Sequence, residues 1–97
     1  MLAPMAIYTA VVAAPAAYPA ANAPSFVIPF QPKRVTFINE DATLANAVDV
    51  SADGMNDATR LTPTIPNSAV QTLNQTNSNW WVKRAAGTPN VRIVAED

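Results

Sequence analysis

Three aspartates spaced four apart, Asp49, Asp53 and Asp57, form the only local carboxylate cluster in a chain that has neither histidine nor cysteine. Without those two side chains, acid–base work near neutral pH falls to carboxylates, Lys and Tyr. Disulfides and the common zinc sites are excluded as well. On a helix, a spacing of four would bring the carboxylates onto one face. Asp49, however, alternates with Val48 and Val50 as a strand residue does, and Asp53 and Asp57 flank Gly54, so convergence is not expected. Hard cations take oxygen ligands from Asp, Asn and backbone carbonyls, which leaves a calcium loop at 53–57 as an alternative to a solvated hairpin tip. The spacing is not that of an EF-hand. There is no Gly-rich phosphate loop, and the many Ser and Thr hydroxyls lack an evident activating base. The residue inventory therefore argues against an enzyme and implies no cofactor and no metal.

Aromatic residues carry more. Trp80 and Trp81 are adjacent, and neighbours on a strand point to opposite faces. Trp80 shares a face with Val82 and reads as core, whereas Trp81 shares its face with Lys83 and reads as outer. An exposed Trp is the kind of residue that dominates interface energetics. The competing reading places Trp81 beneath the chain's own N-terminal segment or the Lys83 stem, and the sequence leaves both open. Tyr8 and Tyr18 read as anchors, with the ring in a groove and the hydroxyl at a wet rim. Together with Ile7, Val11 and Val12, these residues are the candidate partner-binding set.

The segment that holds most of them is unusual. Residues 1–32 contain no charged side chain, and prolines at 4, 15, 19, 24, 29 and 32 interrupt an Ala-rich stretch. Recurrent proline stops helix propagation, and small side chains cannot offset the entropy of ordering. Residues 1–24 are expected to be an extended arm with a reach of roughly 70 Å at about 3 Å per residue. A neighbour is expected to hold it still. Residues 5–12 have strand chemistry and are expected to add to the sheet edge of another chain; a first strand of the chain's own domain is the alternative. A signal peptide is not expected, because there is no basic n-region and Pro4 and Pro15 bracket the apolar stretch. A membrane span is not expected either, since the proline-free stretch 5–14 falls short of the roughly 18 residues needed.

From residue 25 the pattern becomes short β-type runs separated by turn residues. Strands are expected at 26–30, 33–39, 47–51, 58–62, 69–73, 80–85 and 91–95. Breaks fall at Pro63, Pro66, the polar cluster 74–79 and Gly87-Thr88-Pro89, and Gly54 marks a hairpin tip. Val35, Phe37, Val48 and Val50 should face the core, with Asp49 and Ser51 in water. Residues 40–46 contain Ala and Leu behind Asn39 and Asp41 as possible caps, so one or two helical turns are expected there. The fold class is all-β: a small antiparallel β-sandwich, jelly-roll-like, over residues 25–97, with the extended N-terminal arm as a separate element.

A body of about 65 to 70 residues without metal or disulfide leans on oligomerisation for stability. The net charge of −1 and the scatter of six Lys and Arg residues from Lys33 to Arg92 give no footprint for nucleic acid. The dipeptides Lys33-Arg34 and Lys83-Arg84 read as a solvated face or as intersubunit ion-pair partners, adjacent to each other if their strands pair.

The run Asn46-Ala47-Val48-Asp49-Val50-Ser51-Ala52-Asp53-Gly54-Met55-Asn56-Asp57, with Arg60-Leu61-Thr62-Pro63, Trp81-Val82-Lys83-Arg84 and Val91-Arg92-Ile93-Val94-Ala95-Glu96, resembles small structural proteins of tailed bacteriophages. The resemblance covers about residues 33 to 97 and rests on strand and turn patterns. It implies a virion component, a small β-sandwich that cements or decorates the capsid, or else a part of the neck or tail. The implied partners are the major capsid protein and copies of the chain itself, as a homo-oligomer within a symmetric assembly, without nucleic acid or membrane. The implied locations are the virion and, during assembly, the host cytoplasm. A carbohydrate- or calcium-binding β-sandwich, with Trp81 as stacking platform and 53–57 as cation loop, is the reading from a different class.

Overall fold

The structure is a computed structural model that describes residues 6–65 and 68–97. Strand chemistry dictates its elements. Runs rich in Val, Ile, Thr and aromatics alternate inward and outward residues, and they are cut by prolines that cannot donate to a ladder. The strands are β1 (Ile7–Ala13), β2 (Phe26–Val27), β3 (Arg34–Asn39), β4 (Val48–Ser51), β5 (Asp57–Leu61), β6 (Val70–Leu73), β7 (Asn79–Arg84) and β8 (Asn90–Glu96). All seven strands expected after residue 25 are present to within a few residues, β2 being the most shortened because Pro29 follows it. Pro66, one of the expected breaks, lies outside the described residues.

Two four-stranded antiparallel sheets pack face to face, sheet I in the order β1-β8-β3-β6 and sheet II in the order β2-β7-β4-β5. Among the described strands, only β4 and β5 are successive neighbours within a sheet; every other successive pair lies on different sheets. With the first and last strands paired, this is the strand order of a jelly roll. Between the sheets lie Val35, Phe37, Val48, Val50, Leu61, Trp80, Val82, Val91, Ile93 and Ala95, all fully buried. Phe37 sits at the centre, edge-on to Trp80 with ring centroids 5.0 Å apart and tilted against Phe26 at 6.4 Å. Such pairings add about 0.5–1.5 kcal/mol each beyond area burial.

Residues 7–13 differ from the expected arm. They form β1 and pair along their whole length with β8 of the same chain, from Ile7 opposite Glu96 to Ala13 opposite Asn90. The sheet edge to which this strand adds is therefore its own chain's. Tyr8, Ala10 and Val12 pack against the core cluster, so the strand contributes inward apolar residues as well as ladder bonds. Beyond it, the Arg84 N–H donates to the Pro15 carbonyl at 2.7 Å, and the Arg84 guanidinium donates to the Ala14 carbonyl at 2.9 Å. The chain then arches over the outer face of sheet II and returns to β7 where the Val82 N–H donates to Ser25 Oγ at 3.1 Å. No boundary at residue 24 separates an arm from a body among the described residues.

The expected helical turn at 40–46 is absent. Asn39 Oδ1 accepts the Asp41 N–H at 3.1 Å, and Asp41 Oδ1 accepts the Thr43 N–H at 2.8 Å. Each side chain thus bonds the backbone two residues on, which offers the chain an alternative to the helix it was expected to cap. Leu44, the one large apolar side chain of the segment, is exposed, so nothing holds a helix against the body.

Candidate interaction surfaces

A sandwich has two outer faces, and here they differ in chemistry. The outer face of sheet II carries Asp49 and Ser51 from β4, Arg60 from β5, and Trp81 and Lys83 from β7; Ser51 lies opposite Trp81 and Asp49 opposite Lys83. Residues 14–25 cover this face. The Trp81 indole Nε1–H donates to the Ala20 carbonyl at 3.1 Å. On its other side the indole meets Gly54, whose φ of +81° makes the hairpin tip; a Cβ there would stand 3.2 Å from the Trp81 ring. Trp81 is consequently 6% exposed, which corrects its reading as an open interface residue or stacking platform.

Tyr18 is an anchor in the sense expected, but its groove belongs to the same chain. Its ring lies beneath the Lys83 ammonium, 4.6 Å from the centroid, and its hydroxyl donates to Asp57 Oδ1. Burial and then the Asp57 acceptor raise the Tyr18 pKa well above its ordinary 10.0. Lys83 Nζ also stands 3.8 Å from Asp57.

The three aspartates do not converge. Asp49 is buried rather than solvated and receives a two-point contact from Arg60, Nε at 2.7 Å and Nη2 at 3.2 Å. The Asp53 carboxylate accepts the backbone N–H groups of Met55 and Asn56, the Asn56 amide and the Ser51 hydroxyl, each at 2.8 Å. Those bonds, the Asn56 N–H first, hold its pKa well below the ordinary 3.8. Ser51 is buried as well, its Oγ accepting the Gly54 N–H at 2.9 Å. The turn is thus closed by its own side-chain and backbone hydrogen bonds. No group of three or more His, Cys, Asp or Glu is placed to hold a metal ion among the described residues.

Among the described residues, nothing covers the outer face of sheet I. Its rows, read across β1, β8, β3 and β6, are Ile7-Glu96-Arg34, then Thr9-Val94-Thr36-Thr72, then Val11-Arg92-Ile38-Val70. Except for the two ion pairs that begin on β8, Arg34–Glu96 at 2.8 Å and Arg92–Glu40 at 2.9 Å, every side chain in these rows is β-branched. Ile7 is 65% exposed and Val11 49%, and Val70 is exposed on the far strand. Thr36 and Thr72 bond across their strands at 3.0 Å. Shallow clefts of about 290 Å³ (Val11, Glu40, Asp41, Thr88, Asn90, Arg92) and about 260 Å³ (Lys33, Arg34, Asn74, Glu96, Asp97) flank the face at its two ends. The basic dipeptides are on different sheets, so Lys33-Arg34 and Lys83-Arg84 are not strand neighbours.

The six residues expected to bind a partner are thereby divided among three places. Ile7 and Val11 are on the open face, Tyr8 and Val12 point inward from β1, and Tyr18 and Trp81 belong to the covered face. Thr9, Thr36, Ile38, Val70, Thr72 and Val94 were not singled out from the sequence. Their signal is present in it: apart from Arg34, Arg92 and Glu96, these outward positions are β-branched. Comparison with known protein families, curated proteins and solved structures finds no match to this chain.

Proposed function

We propose that this chain is a non-enzymatic structural protein that acts by being bound through the open face of sheet I, and that its setting is the virion of a tailed bacteriophage, as a capsid cement or decoration protein. The observation that carries the binding part is the contrast between the faces: a largely β-branched surface, its charges held in ion pairs, left open beside one whose centre the chain covers for itself. Exposed Ile7, Val11 and Val70 rim this face, and exposed apolar side chains grouped with paired polar ones are the chemistry of an interaction site. The virion setting is supported by the strand and turn resemblance and, as fold-level analogy, by the jelly-roll order, an architecture recurrent in capsid and lectin domains.

In this role the protein lays sheet I across joints between major capsid proteins. Burying the face stabilises the shell by mass action, and repetition around a symmetric lattice multiplies a modest single-site affinity. Quantitative mass spectrometry of purified particles, paired with shell melting in the presence and absence of the protein, tests the reading. Hundreds of copies per particle and a raised shell melting temperature are expected. About a dozen copies or fewer would move the protein to the neck or tail, and its absence from particles would remove the virion setting altogether.

A further inference from the structure

Sheet II is edged by β2 and β5, and sheet I by β1 and β6, but among the described residues only one of the four edges is unguarded. β2 is two residues long and runs into Pro29, whereas β5 carries Asp57 and Arg60 and opposes a register shift at Val50/Ser51. β6 has four residues. β1 has seven, Ile7–Ala13, with no charge, no proline and an unbroken register. Natural sheets protect long edges with charge, proline, bulges or shortness, and β1 uses none of these.

The backbone of β1 fixes what this edge offers. The Asp97 N–H donates to the Ala6 carbonyl at 3.1 Å and the Ala14 N–H to the Pro89 carbonyl at 3.1 Å, so the even-numbered residues 8, 10 and 12 bond β8. The N–H and C=O groups of Ile7, Thr9, Val11 and Ala13 therefore point away from β8, toward the open edge.

We propose that this edge pairs with the β1 edge of a second copy of the chain, antiparallel about a two-fold axis through Ala10. In that register Ile7 meets the Ala13 of the other copy and Thr9 meets its Val11, and each such pair exchanges both hydrogen bonds because all four residues face outward. On the inward side the Tyr8 of one copy meets the Val12 of the other, an aromatic–β-branched pair of the kind that stabilises sheets. Symmetry sets the antiparallel sense, because one edge that pairs with itself about a two-fold axis perpendicular to the sheet must run antiparallel to its mate. The axis runs perpendicular to the sheet, so both open faces stay on the same side and form one eight-stranded surface. This doubles the face assigned above to the capsid; the pairing itself does not depend on the capsid reading.

Sedimentation of the full chain at about 100 µM, without any shell present, tests the pairing, since edge pairing of this size is expected to have a micromolar dissociation constant. A twofold mass that falls to the monomer with Val11→Lys is expected, with an unchanged melting temperature at dilutions where the wild type is also monomeric. Because the chain has no cysteine, Ala10→Cys offers a register-specific probe: across the two-fold the Cα atoms of a non-hydrogen-bonded pair lie about 4.5 Å apart, within disulfide range. A disulfide-linked dimer from Ala10→Cys, with little from Thr36→Cys, supports the proposal. A wild-type monomer at that concentration, or a dimer that Val11→Lys leaves intact and Ala10→Cys does not link, overturns it. Neither result bears on whether particles contain the protein.

Discussion

The two outer faces of this sandwich are built from the same strand chemistry and meet opposite ends. Sheet II presents a buried carboxylate, a buried serine and a tryptophan, and the chain uses residues 14–25 to cover them. Sheet I presents Thr, Val and Ile with two ion pairs and is left open. A charge-free, proline-broken segment looks ill-suited to hold itself in place. It succeeds because β1 pins one end by seven paired residues and β7 receives the rest through a few well-placed polar bonds. The lesson is that the uncharged N-terminal third is a cover for one face and an edge for the other.

The widest separation between the faces is expected at Trp81. Trp81→Ala removes a buried indole and leaves a cavity beneath Ala20, at a cost of about 3–5 kcal/mol, whereas truncation of Ile7 or Val11 on the open face should stay within about 0.5 kcal/mol. Urea unfolding of the three variants measures the contrast, and equal effects would show that the two faces are not differently covered. Next comes Asp49→Ala, which strips Arg60 of both its acceptors. Arg60 is half exposed and can return to water, so about 1–3 kcal/mol is expected rather than the penalty of a stranded buried charge. Gly54→Ala should cost about 1–2 kcal/mol, from positive φ and from the approach of its methyl to the Trp81 indole. A quenched or shifted Trp emission in this variant would place the strain at Trp81.

The sandwich is legible in the sequence because its signals are local. Alternation at Val35–Phe37 and Val48–Val50, a glycine at the hairpin tip and prolines between runs each act within a few residues. The covered face was not legible for the opposite reason. Asp49 and Ser51 alternate as solvated residues do, and only the arrival of Tyr18 and Ala20 from some thirty to sixty positions away buries that side of the sheet. The same holds for β1: a strand reads the same whether its partner is β8 of its own chain or the edge of another. The helical turn at 40–46 failed on a finer balance, because Asn39 and Asp41 can cap a helix or close Asx turns with the same atoms.

Tyr18 supplies a smaller and pH-dependent test. Its raised pKa means that the folded state keeps the phenol protonated, so its contribution is intact below pH 10.0, the ordinary value, and is lost as pH rises above it. Asp53 has the opposite sign: its lowered pKa gives a contribution present above 3.8 that is lost as pH falls below that value. Tyr18→Phe should cost about 1 kcal/mol at pH 7, the worth of one hydrogen bond to a charged acceptor at a wet rim, and should flatten the alkaline limb of the melting profile while leaving the acid limb unchanged. An alkaline limb that survives the substitution would mean that Tyr18 does not hold the cover.

The smallest expected effect is the most discriminating for function. Thr72→Val on the open face removes the bond to Thr36 and adds a methyl to a half-exposed row, and stability should move by no more than about 0.5 kcal/mol. If the face is merely solvated, nothing else changes. If it is a docking surface, the same substitution alters the chemistry of its central row, Thr9-Val94-Thr36-Thr72, and changes affinity for the bound partner without touching the fold. A mutation silent in unfolding yet visible in binding separates an exposed sheet from a working one. It has no counterpart at Asp49, Ser51 or Trp81 on sheet II, because those outward side chains are already engaged by the chain itself.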